Sequence, residues 1–208
     1  MARRVDHATR RREIAAKAMH LFSQVGYDNV SLIMIAQAAG VSRTAIYRYF
    51  CSKREVLDAA ILEITGEISR KCAETIVGRG TIPEKLEAVC NEVADVMFAN
   101  KEFLVAVFDF VIGMVRTGAD MNRRIAEFTS GTRDAIRLLV EHGKRRGHFA
   151  EVMDVGRTTD AIYAEFESCA MRIVLGTEKT PDAAKVRIAN VIRALSGRNA
   201  AEGASDMV

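Results

Sequence analysis

Apolar residues recur along most of this chain at intervals of three and four, the spacing that gathers them on one face of a helix. Ile14, Ala18, Leu21, Phe22 and Val25 form the first such stripe and predict a helix from about His7 to Gln24, closed by Gly26. Tyr27 and Val30 pack the link that follows. Ser52, with Glu55 three residues on, has the form of a capping box. Val56, Leu57, Ala60, Ile61, Ile64 and Ile68 carry the helix it opens to about Val77, where Gly78-Arg79-Gly80 breaks it. Thr81-Ile82-Pro83-Glu84 puts proline in a first turn and predicts a helix ending near Asn100. Phe103 to Val115 is apolar almost all round, with Asp109 its one charge, and predicts a buried central helix. Met121, Ile125, Phe128, Ala135 and Leu139 mark a helix over Asp120–Arg146. Gly131 is a candidate kink there, and Lys144, Arg145 and Arg146 suit its negative C-terminal end. Two helices remain: Val155 to Leu175, stopped by Gly176, and one opened by Thr180-Pro181-Asp182 and stopped by Gly197. Met1 to Asp6 reads as a mobile basic tail and residues 198–208 as a disordered one. The expectation is an all-α protein.

One stretch departs from this regular alternation. Ser31 to Lys53 reads SLIMIAQAAGVSRTAIYRYFCSK. Ser31 caps a short helix whose buried side begins with Ile33, Ile35 and Ala36. Ala38, Ala39 and Gly40 end it, and Gly40 suits the left-handed residue of a tight turn. Val41 plugs that turn, and Ser42 caps a second short helix, Arg43 to Phe50. Ala45, Ile46 and Phe50 share its buried face; Arg43, Thr44, Tyr47 and Arg48 share the other. That outer face offers hydrogen-bond donors and no acid, as a helix in the major groove of DNA requires.

The run IAQAAGVSRTAIYRYFCSK closely resembles the DNA-binding domain of the TetR family of bacterial transcriptional regulators, whose pattern is I-A-x-x-A-G-V-S-x-x-x-x-Y-x-x-F-x-x-K. Thr44 stands where the family often has glycine, and Arg48 where an aromatic is frequent. The resemblance implies a three-helix helix-turn-helix domain over 8–68, with the helix-turn-helix itself at about 31–50. A larger helical ligand-binding and dimerisation domain would occupy 69–197. It also implies DNA contacts from Ser31, Ser42, Arg43, Thr44, Tyr47, Arg48, Tyr49 and Lys53. Arg43 and Thr44 would reach base edges, while Tyr47, Arg48, Tyr49 and Lys53 hold phosphates. The last two helices of each subunit would build an intermolecular four-helix bundle. Ile162, Phe166, Cys169, Ile173, Ile188, Val191, Ile192 and Leu195 are available there for packing within or between subunits.

Charge distribution supports this placing. The chain has 208 residues and a net charge of +3. Residues 1–55 hold ten Lys/Arg against four Asp/Glu, whereas residues 56–208 hold twenty against twenty-three. The basic end coincides with the predicted DNA-binding unit. Arg10, Arg11 and Arg12 are either a solvated surface or contacts to the DNA backbone. Four dispersed cysteines, Cys51, Cys72, Cys90 and Cys169, form no C-x-x-C pair and fit a reduced, cytoplasmic setting as small buried residues. No run is long and apolar enough for a membrane helix.

Catalytic signatures are missing. The sequence has no G-x-x-x-x-G-K-[ST], no G-x-G-x-x-G and no G-x-S-x-G, and its histidines His7, His20, His142 and His148 are scattered. Neither an enzyme nor a metal or other cofactor is expected. Two readings remain: a repressor released from a palindromic operator by a small hydrophobic effector, and a constitutive DNA binder without one. The long C-terminal part favours the first. Candidate pocket residues are Met97, Phe98, Phe103, Phe108, Phe110, Met114, Phe128 and Met171, an adaptable apolar wall. Asp109 either pairs with an arginine such as Arg116 or Arg172, or faces that pocket.

Overall fold

The computed structural model of the chain describes residues 7–117, 122–150 and 153–195; the side chains of residues 122–128 and 195 fall outside that set. Both expected tails and Met121 lie outside the described residues. Every regular element among those described is helical: α1 (His7–Val25), α2 (Leu32–Ala38), α3 (Lys53–Val77), α4 (Ile82–Ala99), α5 (Lys101–Arg116), α6 (Asn122–Arg145), α7 (Val155–Val174) and α8 (Asp182–Leu195), with a single 3₁₀ turn at Ile46–Arg48. The fold is all-α with an N-terminal helix-turn-helix. No described helix is long and apolar enough to cross a membrane.

The chain packs as two compact units and passes between them more than once. The first takes residues 1–67 and 100–129, the second residues 68–99 and 130–208. Helix α5 is therefore built into the unit that carries the helix-turn-helix, where the sequence reading drew a single boundary near residue 68.

In the first unit Ile14, Ala18 and Phe22 of α1 meet Ile35 of α2, Ile46 and Phe50 beyond it, Val56 and Leu57 of α3, and Ala106 and Phe110 of α5. The expected all-round burial of α5 does not hold: Ala106 and Phe110 are buried, whereas Ile112 and Val115 are exposed. An apolar composition permits burial on every side, but burial needs a partner on every side. Here α5 seals one face.

The second unit closes around Cys72, Leu86, Val89, Cys90, Ile136, Val140, Ile162, Phe166, Ile188 and Ile192. Its helix starts are fixed by side chains. Glu84 accepts the Thr81 backbone N–H at 2.7 Å, and Asp154 accepts that of Arg157 at 2.8 Å. These bonds hold both carboxyls below their ordinary values. Arg187 of α8 forks onto both oxygens of Glu178 at 3.0 and 2.8 Å and lies 3.4 Å from Glu165 of α7, which ties the last two helices together. Ile162, Phe166, Cys169, Ile173, Ile188 and Ile192 are all buried within one chain. The exposed large apolar residues here are instead Met171 of α7, Leu175 at its C-cap and Val186 of α8.

Candidate nucleic-acid interface

The interface is built from the turn outward. Ser31 caps α2 by accepting the Met34 backbone N–H at 3.3 Å. At the other end Gly40 takes φ +64°, Val41 N–H donates to the Ala36 carbonyl at 2.9 Å, and Gly40 N–H donates to that of Gln37 at 3.1 Å. This is a Schellman motif, and it needs a left-handed residue that costs least as glycine. Val41 packs on the first core from inside the turn. Ser42 then accepts the Ala45 N–H at 3.1 Å.

The segment after Ser42 is not the α-helix expected over Arg43–Phe50. Residues 43–45 form turns and only Ile46–Arg48 is regular, as a 3₁₀ helix. Both bond types occur: Ile46 N–H reaches the Ser42 carbonyl at 3.1 Å, and Arg48 N–H that of Ala45 at 3.1 Å. A segment this short pays the cost of nucleation without the run of bonds that offsets it, so tighter i→i+3 pairing competes well. The facing follows the expectation except at Ala45, which is only half-buried. Ile46 and Phe50 are buried, and Arg43, Thr44, Tyr47 and Arg48 are exposed, with Ser42 beside them. Tyr49 is half-buried, its ring stacked on His7 at 4.8 Å.

Lys53 sits at the start of α3. Its ammonium donates to the Tyr27 carbonyl at 2.7 Å and the Asp28 carbonyl at 3.0 Å, and lies 4.5 Å above the Tyr27 ring. Two of its three donors are thus committed to the protein. The expected capping box is present in altered form: Ser52 accepts the Glu55 N–H at 3.1 Å, and Glu55 reaches back to the Cys51 N–H at 2.8 Å rather than to that of Ser52. The Cys51 N–H, helped by Arg11, holds the Glu55 carboxyl below its ordinary value.

Residues 8–60 match the family model described as "Bacterial regulatory proteins, tetR family". Over these residues the chain is similar to the TetR family of transcriptional regulators. It is 35% identical over 77 residues to the HTH-type transcriptional repressor AcnR of Corynebacterium jeikeium (strain K411), an alignment spanning 37% of this chain and 39% of that one. It is 23% identical over 175 residues to the nicotine-responsive transcriptional repressor HdnoR of Paenarthrobacter nicotinovorans, covering 81% of this chain and 86% of that one. Among solved structures, the regulator FadR of Bacillus subtilis in complex with stearoyl-CoA shares the fold at a TM-score of 0.75 and 20% identity, over 89% of this chain and 97% of that one.

The basic N-terminus holds contacts that the sequence pattern does not announce. Arg10 donates to the Ala39 carbonyl at 3.0 Å and pairs with Glu13 at 2.6 Å. Arg11 donates to the Tyr49 carbonyl, pairs with Glu55 at 3.1 Å and lies 4.2 Å above the Phe50 ring. Arg12 reaches Thr9 at 3.3 Å and Glu63 at 3.7 Å. The one sequence signal was Glu13, three residues after Arg10 on the same helix face.

The candidate effector residues are divided between the two units. Met97 and Phe98 belong to the second, with Phe98 buried and Met97 packed on the second core; Met171, also there, is exposed. Phe110 is buried in the first unit, edge-on to Tyr27 at 4.8 Å and beneath the Arg54 guanidinium at 4.5 Å. Met114 packs on the same core, Phe108 is half-buried, and the Phe128 side chain lies outside the described residues. Phe103 lines a cleft of about 480 Å³ within the first unit, with Ala15, Ala16 and Met19 of α1 and Ala59, Ala60 and Leu62 of α3.

Asp109 fits neither role expected of it. It is exposed, and its carboxylate accepts the Tyr27 backbone N–H at 2.6 Å. That N–H belongs to the turn leaving α1, one residue past Gly26, whose own N–H bonds back to the Phe22 carbonyl at 3.0 Å. The carboxylate therefore ties down the turn after α1 through a main-chain amide, a charge-assisted bond made without an arginine.

Proposed function

We propose that the chain is a dimeric repressor that reads a palindromic operator through Arg43 and Thr44 and leaves it when a small, mainly hydrophobic effector binds. The observation that carries this reading is the exposed, acid-free face of Arg43, Thr44, Tyr47 and Arg48, presented behind the Gly40 turn. On this reading Tyr47 and Arg48 hold phosphates, with Ser31, Ser42, Tyr49 and Lys53 at the flanks. Dimer formation is supported by the exposed Met171, Leu175 and Val186 on α7 and α8. A symmetric dimer requires a two-fold operator whose half-sites lie about 34–36 Å apart.

Responsiveness to an effector is supported by the relatives' own names, one nicotine-responsive and one bound to stearoyl-CoA. The cleft of about 480 Å³ is the size that holds a drug-sized molecule and is lined mostly by apolar side chains. An effector releases DNA only by as much as it prefers the non-binding state. The test is selection of duplexes from a random pool by the full chain, followed by release against a library of lipophilic compounds. A recovered palindrome and at least one releasing compound are expected. Failure to enrich any sequence overturns the reading as a DNA-binding repressor. Enrichment with no releasing compound leaves a constitutive DNA binder instead.

A further inference from the structure

The segment that presents Arg43 to Arg48 has little internal support. It is a run of turns and one 3₁₀ helix of three residues. An isolated helical turn in water is strongly disfavoured, so its shape must come from what it packs against. Ile46 and Phe50 anchor it below. The carbonyls at its far end need donors, because the last carbonyls of any helical segment lack intrahelical partners and carry partial negative charge.

Helix α1 supplies those donors. Arg11 donates to the Tyr49 carbonyl while its guanidinium lies 4.2 Å from the centre of the Phe50 ring. Its second arm pairs with Glu55 at 3.1 Å, and Glu55 accepts the Cys51 N–H at 2.8 Å. Residues 49–51 are thus held through a carbonyl on one side and an amide on the other. His7 places Nε2 3.3 Å from the Arg48 carbonyl and stacks on Tyr49. One turn on, Arg10 donates to the carbonyl of Ala39, the C-cap of α2, at 3.0 Å.

We propose that His7, Arg10 and Arg11 form a carbonyl clamp that positions the reading segment, so that α1 contributes to sequence discrimination rather than to phosphate neutralisation. Two observations separate these roles. Each guanidinium, of Arg10 and of Arg11, gives one arm to a main-chain carbonyl and the other to a carboxylate. Each guanidinium also has a carboxylate beside it, Glu13 at 2.6 Å and Glu55 at 3.1 Å, which offsets the charge a phosphate would seek. The fork geometry matters more than the charge: lysine can match the charge but cannot reach Tyr49 and Glu55 together from above Phe50.

The inference rests on the DNA-binding reading above, and its test has one arm that needs no DNA. Arg11→Gln and Arg11→Lys are compared with wild type by amide hydrogen exchange and by binding to two duplexes across roughly 50–200 mM salt. One duplex is that selected by the wild-type chain; the other is its scrambled counterpart. Both variants are expected to exchange the amides of residues 46–51 faster while the second unit stays protected. Affinity for the selected duplex should fall roughly tenfold or more, the effect of a misplaced base contact, with the scrambled duplex within about twofold and the salt slope unchanged. Rescue by Arg11→Lys, with Arg11→Gln weakening both duplexes and lowering the slope by about one unit, would mean a phosphate contact and overturn the clamp. Unchanged exchange and an unchanged specificity ratio in both variants also overturn it. If either variant fails to fold, His7→Ala and Arg10→Gln carry the same comparison. Loss of discrimination in wild type itself refutes the DNA-binding reading, while the exchange arm still decides the clamp.

Discussion

Asp109 accepts the backbone N–H of Tyr27 at 2.6 Å, across 82 residues of sequence. The residue before it, Gly26, takes φ +86°, and a Cβ there would lie 3.5 Å from the same carboxylate. The turn that leaves α1 is therefore closed by α5, while Lys53 of α3 holds the Tyr27 and Asp28 carbonyls from its other side. Asp109→Ala leaves that N–H unpaired and should cost about 1–3 kcal/mol in denaturant unfolding. Asp109→Asn keeps an acceptor oxygen and should cost less. Any compound that releases DNA from wild type should act equally on Asp109→Asn, because the carboxylate holds the turn after α1. Wild-type stability in both variants would remove this bond from the account.

Arg43→Ala should cost about 1–3 kcal/mol on the selected duplex and relax the preference at one base position. Lys53→Ala should weaken selected and scrambled duplexes alike, because any phosphate contact from its remaining donor carries no sequence information. Titrations of both variants over a panel of sequences check this. Identical profiles would refute the division of labour.

Assembly is tested on the exposed face of α7 and α8. Leu175 is 66% exposed and Val186 60%, so glutamate at either position is tolerated by the single chain. Leu175→Glu and Val186→Glu should sediment as folded monomers and bind the palindrome at least about tenfold more weakly, through loss of the linked second site. Ile188→Glu places a charge at a site 1% exposed and should instead unfold the chain. A folded dimer in both surface variants would put the interface elsewhere.

The cysteines should divide sharply by reactivity. Burial pushes the Cys72 and Cys169 thiols up to about 11 and raises that of Cys90 as well, whereas Cys51 is exposed. The thiolate is the reactive form. Native protein with a thiol reagent near pH 8 should therefore modify Cys51 first, and the others only on unfolding. Rapid loss of Cys72 or Cys90 in a folded sample would contradict the packing of the second core.

Acid should loosen the reading segment through Glu55. Its folded value lies below the ordinary 4.5, chiefly through the Cys51 N–H. The stabilisation is fully present above the ordinary carboxylate range and is lost as pH falls through the lowered folded value. The melting-temperature difference between wild type and Glu55→Gln should be constant from neutral pH to about 5 and narrow below that. A difference that grows on acidification would reverse the sign and exclude the bond as its source.

The sequence by itself determined the long helices, their order and the exposed face of residues 43–48. Periodic apolar stripes and local stop signals such as Gly40 are short-range features, and a helix needs only short-range information to declare its buried side. Ile14, Phe22, Ile35, Ile46 and Phe50 were legible as core for that reason, and Arg43 with Tyr47 as the outer face. Tertiary structure decided what each polar group near that face does. Arg11 finds Tyr49 38 residues away and Asp109 finds Tyr27 82 residues away, so no local spacing announces either pair. It also decided that α5, apolar on nearly every side, would be sealed on one. Composition states what a helix is able to bury, while only the neighbouring elements supply the surface against which it does so.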